Sequence, residues 1–322
     1  MLLDIRNLVV ELPVGRELRR IVADVSLGIR EGESLALVGE SGSGKSMTTK
    51  AITRTLPDGA QVSGEVLFDG KLVGAMSKRE LETYRREQIG LIYQDPRAHI
   101  NPVRRIEDFL LEGLLLFDRR PRAELRRVIS DLLAEVGIAD PDRCLKSYPH
   151  QLSGGMLQRV AIAAALSTEP RLLLADEPTT ALDVTTQAEV AQLLKQLQAR
   201  RGLAVLFITH DLDLAAQICD RTAVMYAGRI VEMQPSRTLY ASPAHPYTRG
   251  LLQSRPSVDR RYERLPTLPG SPTPAYEAPA GCPFAPRCAD RMPVCSTYVP
   301  HLTRHGLAEL ACHLGAGAPG GN

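Results

Sequence analysis

The sequence predicts an α/β fold: a mainly parallel sheet core, an antiparallel β subdomain, an α-helical subdomain and a Cys-rich C-terminal extension. Three observations carry this. Apolar runs alternate with helical periodicity between residues 34 and 209, the strand–helix–strand order of a parallel sheet. The first run, Ser34-Leu35-Ala36-Leu37-Val38, leads directly into Gly39-Glu40-Ser41-Gly42-Ser43-Gly44-Lys45-Ser46 and then a helix over 46–55, the context in which a glycine-rich loop cradles phosphate. Beyond about Val231 prolines become frequent and four of the six cysteines gather, a composition unsuited to long helices or central strands.

The elements follow in order. Residues 2–12 alternate as a strand and Val25–Ile29 form a second. Glu65-Val66-Leu67-Phe68 followed by Asp69-Gly70 reads as a hairpin. These strands make the antiparallel group. Gly90-Leu91-Ile92-Tyr93-Gln94-Asp95-Pro96 reads as a strand ending at its proline. Leu125, Val128, Ile129, Leu132, Leu133 and Val136 fall on one helical stripe stopped by Gly137, a core-packing face. Arginines 119, 120, 122, 126 and 127 are its solvated face. Leu152-Ser153-Gly154-Gly155 opens another helix, a second potential anion site. The buried strand Arg171–Ala175 ends in Asp176-Glu177, and the strand Ala204–Ile208 delivers Thr209-His210-Asp211 to the same edge, where α/β sheets place ligands. Gly315–Asn322 reads as a Gly-rich disordered tail.

With 322 residues the chain can hold one large or two modest domains, and its net charge of +2 argues against a dedicated polyanion binder. There is neither a signal-peptide h-region nor an apolar run long enough to span a membrane. The expectation is a cytosolic protein that reaches a membrane only through a partner. In that reducing compartment, Cys282, Cys288, Cys295 and Cys312 point to metal ahead of disulfides.

The chemistry these motifs support is specific. Glycines turn backbone N–H groups toward phosphate, Lys45 reaches the β- and γ-phosphates, and Ser46 ligates Mg²⁺. Two adjacent acids at a strand end let one hold charge at the metal while its neighbour faces the γ-phosphate.

Taken together, the P-loop, Gln94, Leu152-Ser153-Gly154-Gly155, Asp176-Glu177, Ala181-Leu182-Asp183 and His210 resemble the ATP-binding cassette (ABC) ATPases over residues 1 to about 235. Ser242-Pro243-Ala244-His245-Pro246-Tyr247 and Gly281-Cys282-Pro283-Phe284 through Cys288, Cys295 and Cys312-His313 resemble the C-terminal extension of oligopeptide/dipeptide importer ATPases. The resemblance implies an ABC nucleotide-binding domain over 1–235, with a helical subdomain over about 96–165, and an extension over 236–322. It implies ATP and Mg²⁺ bound by Gly39, Ser41, Gly42, Ser43, Gly44, Lys45, Ser46, Thr48 and Asp176, with Ser46, Gln94 and Asp176 about the metal. Glu177 is then the general base, Gln94 a γ-phosphate sensor and His210 a γ-phosphate contact. Ser153, Gly154 and Gly155 close over the nucleotide of an opposing subunit.

The implied machine imports di- or oligopeptides at the cytoplasmic face of the inner membrane. Its other parts are a second, homologous ATPase, two transmembrane permeases and an extracytoplasmic binding protein. The same machine could carry nickel, an opine or another small solute. A soluble cassette ATPase acting on nucleic acid or ribosomes is disfavoured, because the chain has neither a coiled-coil insertion nor a second cassette. Four thiolates suit a [4Fe–4S] cluster or structural Zn²⁺. The spacing has no C-x₂₋₄-C pair, and with the family resemblance it points to the cluster.

Two departures stand out. Residues 1–67 contain no Phe, Tyr or Trp, whereas these ATPases usually stack adenine on an upstream aromatic; Arg16, Arg19 or Arg20 is the expected substitute. The signature also continues Met156-Leu157 where a polar residue is common at the second position.

Overall fold

The computed structural model describes residues 1–116, 118–180, 182–254 and 268–315. Ala181 and the tail over 316–322, both singled out above, lie outside them. The chain forms two compact units.

The first unit comprises Met1–Ile29, Ser34–Gly74 and Thr209–Asn322. It contains a four-stranded antiparallel sheet of Leu3–Val14, Glu17–Ile29, Gln61–Phe68 and Lys71–Leu72, with Leu3–Val14 between Glu17–Ile29 and Gln61–Phe68. Leu3, Ile5, Leu8 and Val10 are buried. Strict alternation would fail between Ile5 and Leu8, and a register shift there restores it. Asn7 sits at that shift with φ 48°, a conformation asparagine tolerates, and its N–H donates to Ser26 Oγ at 2.9 Å. Asp69 and Gly70, at φ 49° and 75°, form the two-residue turn between paired Phe68 and Lys71. This is the twist-matched turn that the Asp-Gly pair predicts.

The unit also holds the buried strand Ser34–Val38, paired in parallel with Arg221–Tyr226. Arg229–Pro235 pairs antiparallel with Arg221–Tyr226, and Ala308–Leu310 and then Thr303–His305 extend the sheet antiparallel beyond it. The proline-rich extension thus contributes two strands of three residues each, too short for an alternation pattern to reveal. They lie at the sheet's outer edge, where Leu310 is buried and Ala311 N–H donates to Val231 O at 2.9 Å.

The second unit comprises Arg30–Glu33 and Ala75–Ile208. Ala204–Thr209, Leu172–Asp176 and Ile89–Ile92 run parallel, with Leu172–Asp176 in the middle. The strand expected to run to Pro96 stops at Ile92. Asp95 instead caps a short helix, Pro96–His99, accepting from Arg97 N–H at 2.9 Å; a proline in the first turn lacks only an N–H that would be unpaired anyway. Helices Ile106–Leu115, Arg122–Glu135, Pro141–Lys146, Gly154–Leu166 and Val184–Arg201 belong to the same unit. Leu125, Ile129, Leu132 and Leu133 form the buried face of Arg122–Glu135. On its exposed side Arg122 meets Asp108 at 3.1 Å and Arg126 meets Asp142 at 2.7 Å. Such surface pairs contribute about 0–1 kcal/mol each.

Among the described residues no helix is long and apolar enough to cross a membrane.

Candidate functional site

In the first unit, the glycine-rich loop joins the strand Ser34–Val38 to the helix Lys45–Ile52. A side chain on Gly39 would run into the Met225 carbonyl oxygen. Only glycine lets the chain turn so close to its neighbouring strand. Gly44 caps the helix at φ 109°, and its first turn carries no acidic residue, so the positive helix end is left for an anion. Lys45 is buried, with Nζ donating to Gly39 O at 2.7 Å and to Glu40 O at 3.0 Å. The ammonium is folded over the loop it serves. Ser43 Oγ is buried without a hydrogen-bond partner, an arrangement that costs free energy unless a ligand supplies one. Ser41, Gly42 and Ser46 are exposed at the loop surface. Thr48, expected among the nucleotide ligands, is fully buried and donates its hydroxyl to Gly44 O at 3.1 Å; it braces the helix start from within. His210 is exposed at the end of Ala204–Thr209. Beside it Asp211 caps the helix Leu212–Ile218, accepting from Asp213 and Leu214 N–H groups at 2.8 and 3.1 Å.

In the second unit, four buried residues, Leu172 to Ala175, drive the strand that ends in Asp176. Glu177 follows at φ 48°, an uncommon conformation for a residue with a side chain. Its N–H donates to Ile208 O at 3.0 Å, which holds the turn. One carboxylate oxygen accepts from Gln94 Nε2 at 3.1 Å and from Thr180 Oγ1 at 2.9 Å. The sequence pattern brought Gln94 and Glu177 to the same chemistry, and they touch. Thr180 was missed, because the second of two threonines after Pro178 carries no signal of its own.

The signature Ser153 caps the helix Gly154–Leu166, its hydroxyl accepting from Met156 N–H at 3.2 Å. A side chain on Gly155 would press on Thr186 Cγ2 at 2.6 Å. Thr186 is itself tied to Asp183, whose carboxylate accepts from the Thr186 N–H at 3.0 Å and hydroxyl at 2.8 Å and is thereby held below the usual carboxylate range. Leu157 is fully buried. The apolar residue at this position packs inside, and the exposed end of the signature stays polar.

Upstream of the loop, Arg20 pairs with Glu11 at 3.1 Å. Arg19 lies with its guanidinium 4.9 Å from the centroid of the Tyr276 ring.

The cysteines are all free. Cys282 N–H donates to Cys295 O at 2.8 Å. Burial pushes the Cys282 thiol up to about 11, and the nearby Cys295 and Cys312 add to the rise. Burial likewise raises Cys288 and Cys312, again with contributions from their neighbours. The expected close ligand set is nevertheless not formed: among the described residues no group of three or more His, Cys, Asp or Glu is arranged to hold a metal ion. A single tetrahedral ion draws four thiolates to about 2.3 Å from one centre, which these side chains do not do.

Comparison with known proteins agrees with this geometry. Residues 22–180 match the ABC transporter family, and residues 231–295 match the C-terminal region of oligopeptide/dipeptide transporters. The chain is 43% identical to the dipeptide transport ATP-binding protein of Bacillus subtilis, over 94% of this chain and 90% of that one. It is 43% identical to the oligopeptide transport ATP-binding protein of Escherichia coli, over 87% and 83% of the two chains. Among solved structures, a dimeric ATP-binding cassette in a post-hydrolysis state bound to ADP and Pi aligns with a TM-score of 0.65 at 31% identity, covering 73% of this chain and 99% of that one. The chain belongs to the ABC transporter family, as an ATP-binding subunit and an ATPase coupled to transport.

Proposed function

We propose that this protein hydrolyses Mg-ATP to power import of di- and oligopeptides. One observation carries the nucleotide reading: a buried lysine and an unpartnered buried hydroxyl, Lys45 and Ser43, sit in a glycine turn at a helix N-terminus. The peptide substrate is supported by the names of the relatives that match nearly the whole chain. Lys45 binds the β- and γ-phosphates with the N–H groups of residues 39–46, and the Ser43 hydroxyl gains its missing partner there. Ser46 and Asp176, both hard oxygen donors, suit Mg²⁺, which keeps several waters and takes only one or two protein ligands; it neutralises charge between the phosphates. Glu177 accepts the proton of the attacking water, oriented by Gln94 and Thr180. His210 steadies the γ-phosphate. Ser153, Gly154 and Gly155 act on the ATP of a partner ATPase.

A second ATPase completes each site, since one P-loop and one signature serve opposite sites; the family resemblance makes it a similar, non-identical chain, with a homodimer as the alternative. Two permeases hold the pair at the cytoplasmic face of the inner membrane, with an extracytoplasmic binding protein delivering substrate. Residues 1–235 form the cassette, with its helical subdomain over about 96–165, and 236–322 the extension. There Cys282, Cys288, Cys295 and Cys312 hold a [4Fe–4S] cluster, which separates its thiolates more widely than Zn²⁺ does. The loose spacing of these cysteines, with no C-x₂₋₄-C pair, and the family resemblance of the extension support this reading. Purification of the native complex, followed by a screen of peptides, nickel and opines for stimulated ATPase activity, tests the function. Stimulation by peptides through the binding protein is expected; stimulation by nickel alone would replace the peptide reading.

A further inference from the structure

The phosphate loop has a neighbour from the far end of the chain. Tyr276 belongs to a single turn, Ala275–Glu277, that packs on the strand Glu17–Ile29. Three short contacts fix its position relative to the loop. A side chain on Gly228 would meet Ala275 Cβ and the Ile21 carbonyl oxygen, each at 2.8 Å. Gly228 N–H donates to Ser43 O, inside the loop, at 2.9 Å. A side chain on Gly44, the helix cap, would meet the same Ile21 oxygen at 3.0 Å. Ile21 thus lies against both the loop and the turn carrying Tyr276. Arg19 is two residues earlier in the same strand, just beyond a register shift at Ile21; its guanidinium covers the Tyr276 ring at 4.9 Å. Thr273 accepts from Tyr226 OH at 3.2 Å, which anchors the approach to the turn.

The other aromatic rings nearby, Tyr226, Tyr247 and Phe284, are buried in a cluster of their own. Tyr276 is 41% exposed, and residues 1–67 offer no aromatic ring at all. A purine stacks well on an aromatic face, and stacking tolerates any base because each has a π-face. A guanidinium on the opposite face holds the ring in place and strengthens it electrostatically.

We propose that Tyr276, backed by Arg19, is the platform for the purine base of the nucleotide whose phosphates occupy the glycine-rich loop. The C-terminal extension then completes the nucleotide site. This rests on the nucleotide reading of that loop.

The test uses the full chain and three probes: Mg-ATP, Mg-GTP and inorganic tripolyphosphate. Tyr276→Ala is expected to weaken ATP and GTP alike by about tenfold and to leave tripolyphosphate unchanged, while Tyr276→Phe binds all three as the parent does. Arg19→Gln should give a smaller loss in the same pattern. Unchanged ATP affinity in Tyr276→Ala overturns the proposal, as does an equal loss for tripolyphosphate, which marks damage to the loop. If the parent chain binds neither ATP nor tripolyphosphate, the nucleotide reading itself has failed.

Discussion

Arg287 sets both terminal nitrogens on the carboxylate of Glu40, Nη1 at 2.7 Å from one oxygen and Nη2 at 3.1 Å from the other. The Arg287 side chain is only 4% exposed and that of Glu40 22%. Its Nε donates to Pro269 O at 2.8 Å, and the Glu40 N–H donates to Tyr247 OH at 3.1 Å. Glu40 is the second residue of the phosphate loop and its carbonyl holds Lys45. A residue beside Cys288 therefore fixes the loop that binds phosphate.

A lysine cannot make that fork. Arg287→Lys should destabilise the chain by about 2 kcal/mol, the scale of a charge-assisted hydrogen bond, read as a shift in urea midpoint at unchanged slope. ATP affinity should fall with it. A variant that unfolds at the parent's midpoint and binds ATP equally would show that the pair is idle.

Glu177→Gln should bind ATP and hydrolyse it about 10²–10⁴ times more slowly, the usual consequence of losing a positioned base. Thr180→Val removes a donor to that carboxylate and should cost roughly five- to tenfold in turnover without changing ATP affinity. Phosphate release by the assembled complex measures both. Near-normal turnover by Glu177→Gln removes Glu177 from the role of base.

Lys45→Ala should weaken ATP binding, because it deletes the cation under the phosphates. Gly39→Ala should do so for a different reason: its methyl group has no room against the Met225 carbonyl, so the loop must shift. Titration with a fluorescent ATP analogue separates these from Glu177→Gln, which should retain affinity.

His245 is buried and its Nδ1 accepts from Tyr247 N–H at 3.0 Å, while its backbone N–H donates to buried Glu232 at 3.0 Å. Burial holds its pKa down to about 3, with Arg249 adding to the fall and a hydrogen bond to the Ala311 backbone opposing it. The unfolded chain takes up this proton near pH 6.5, the folded chain only near 3. Stability contributed by neutral His245 is complete above about pH 6.5 and drains away as pH falls toward 3. His245→Gln should flatten the urea midpoint between pH 7 and 5; an unchanged slope there would set the histidine aside.

Anaerobic purification should yield a brown protein with iron and acid-labile sulfide near four each per chain, as a Cys₄ cluster requires. A colourless protein with about one zinc would put Zn²⁺ in its place.

Much of the fold was legible because local patterns encode local structure. The stripe from Leu125 to Leu133, the Asp69-Gly70 turn and the strand before Gly39 each state their conformation within a few residues. The acids at 176 and 177 could be read because a run of leucines buries the strand they end. What stayed hidden is long-range. Nothing near Arg287 announces Glu40, 247 positions away, and nothing near Arg19 announces Tyr276. Thr180 and Thr48 show the remaining limit. A threonine at a motif's border serves as ligand, donor or brace according to where its hydroxyl points, and spacing does not record direction.

The Arg287–Glu40 fork also has a consequence in time. Glu40 leaves the ribosome long before Arg287; at roughly 5–20 residues per second, 247 positions take about 12–50 s. Throughout that interval the nascent chain carries a phosphate loop without its clamp, and a sheet edge that Ala308–Leu310 has yet to cover. A chain cut short before residue 287 therefore lacks the guanidinium that clamps Glu40, and its phosphate loop is held by fewer contacts than that of the finished protein.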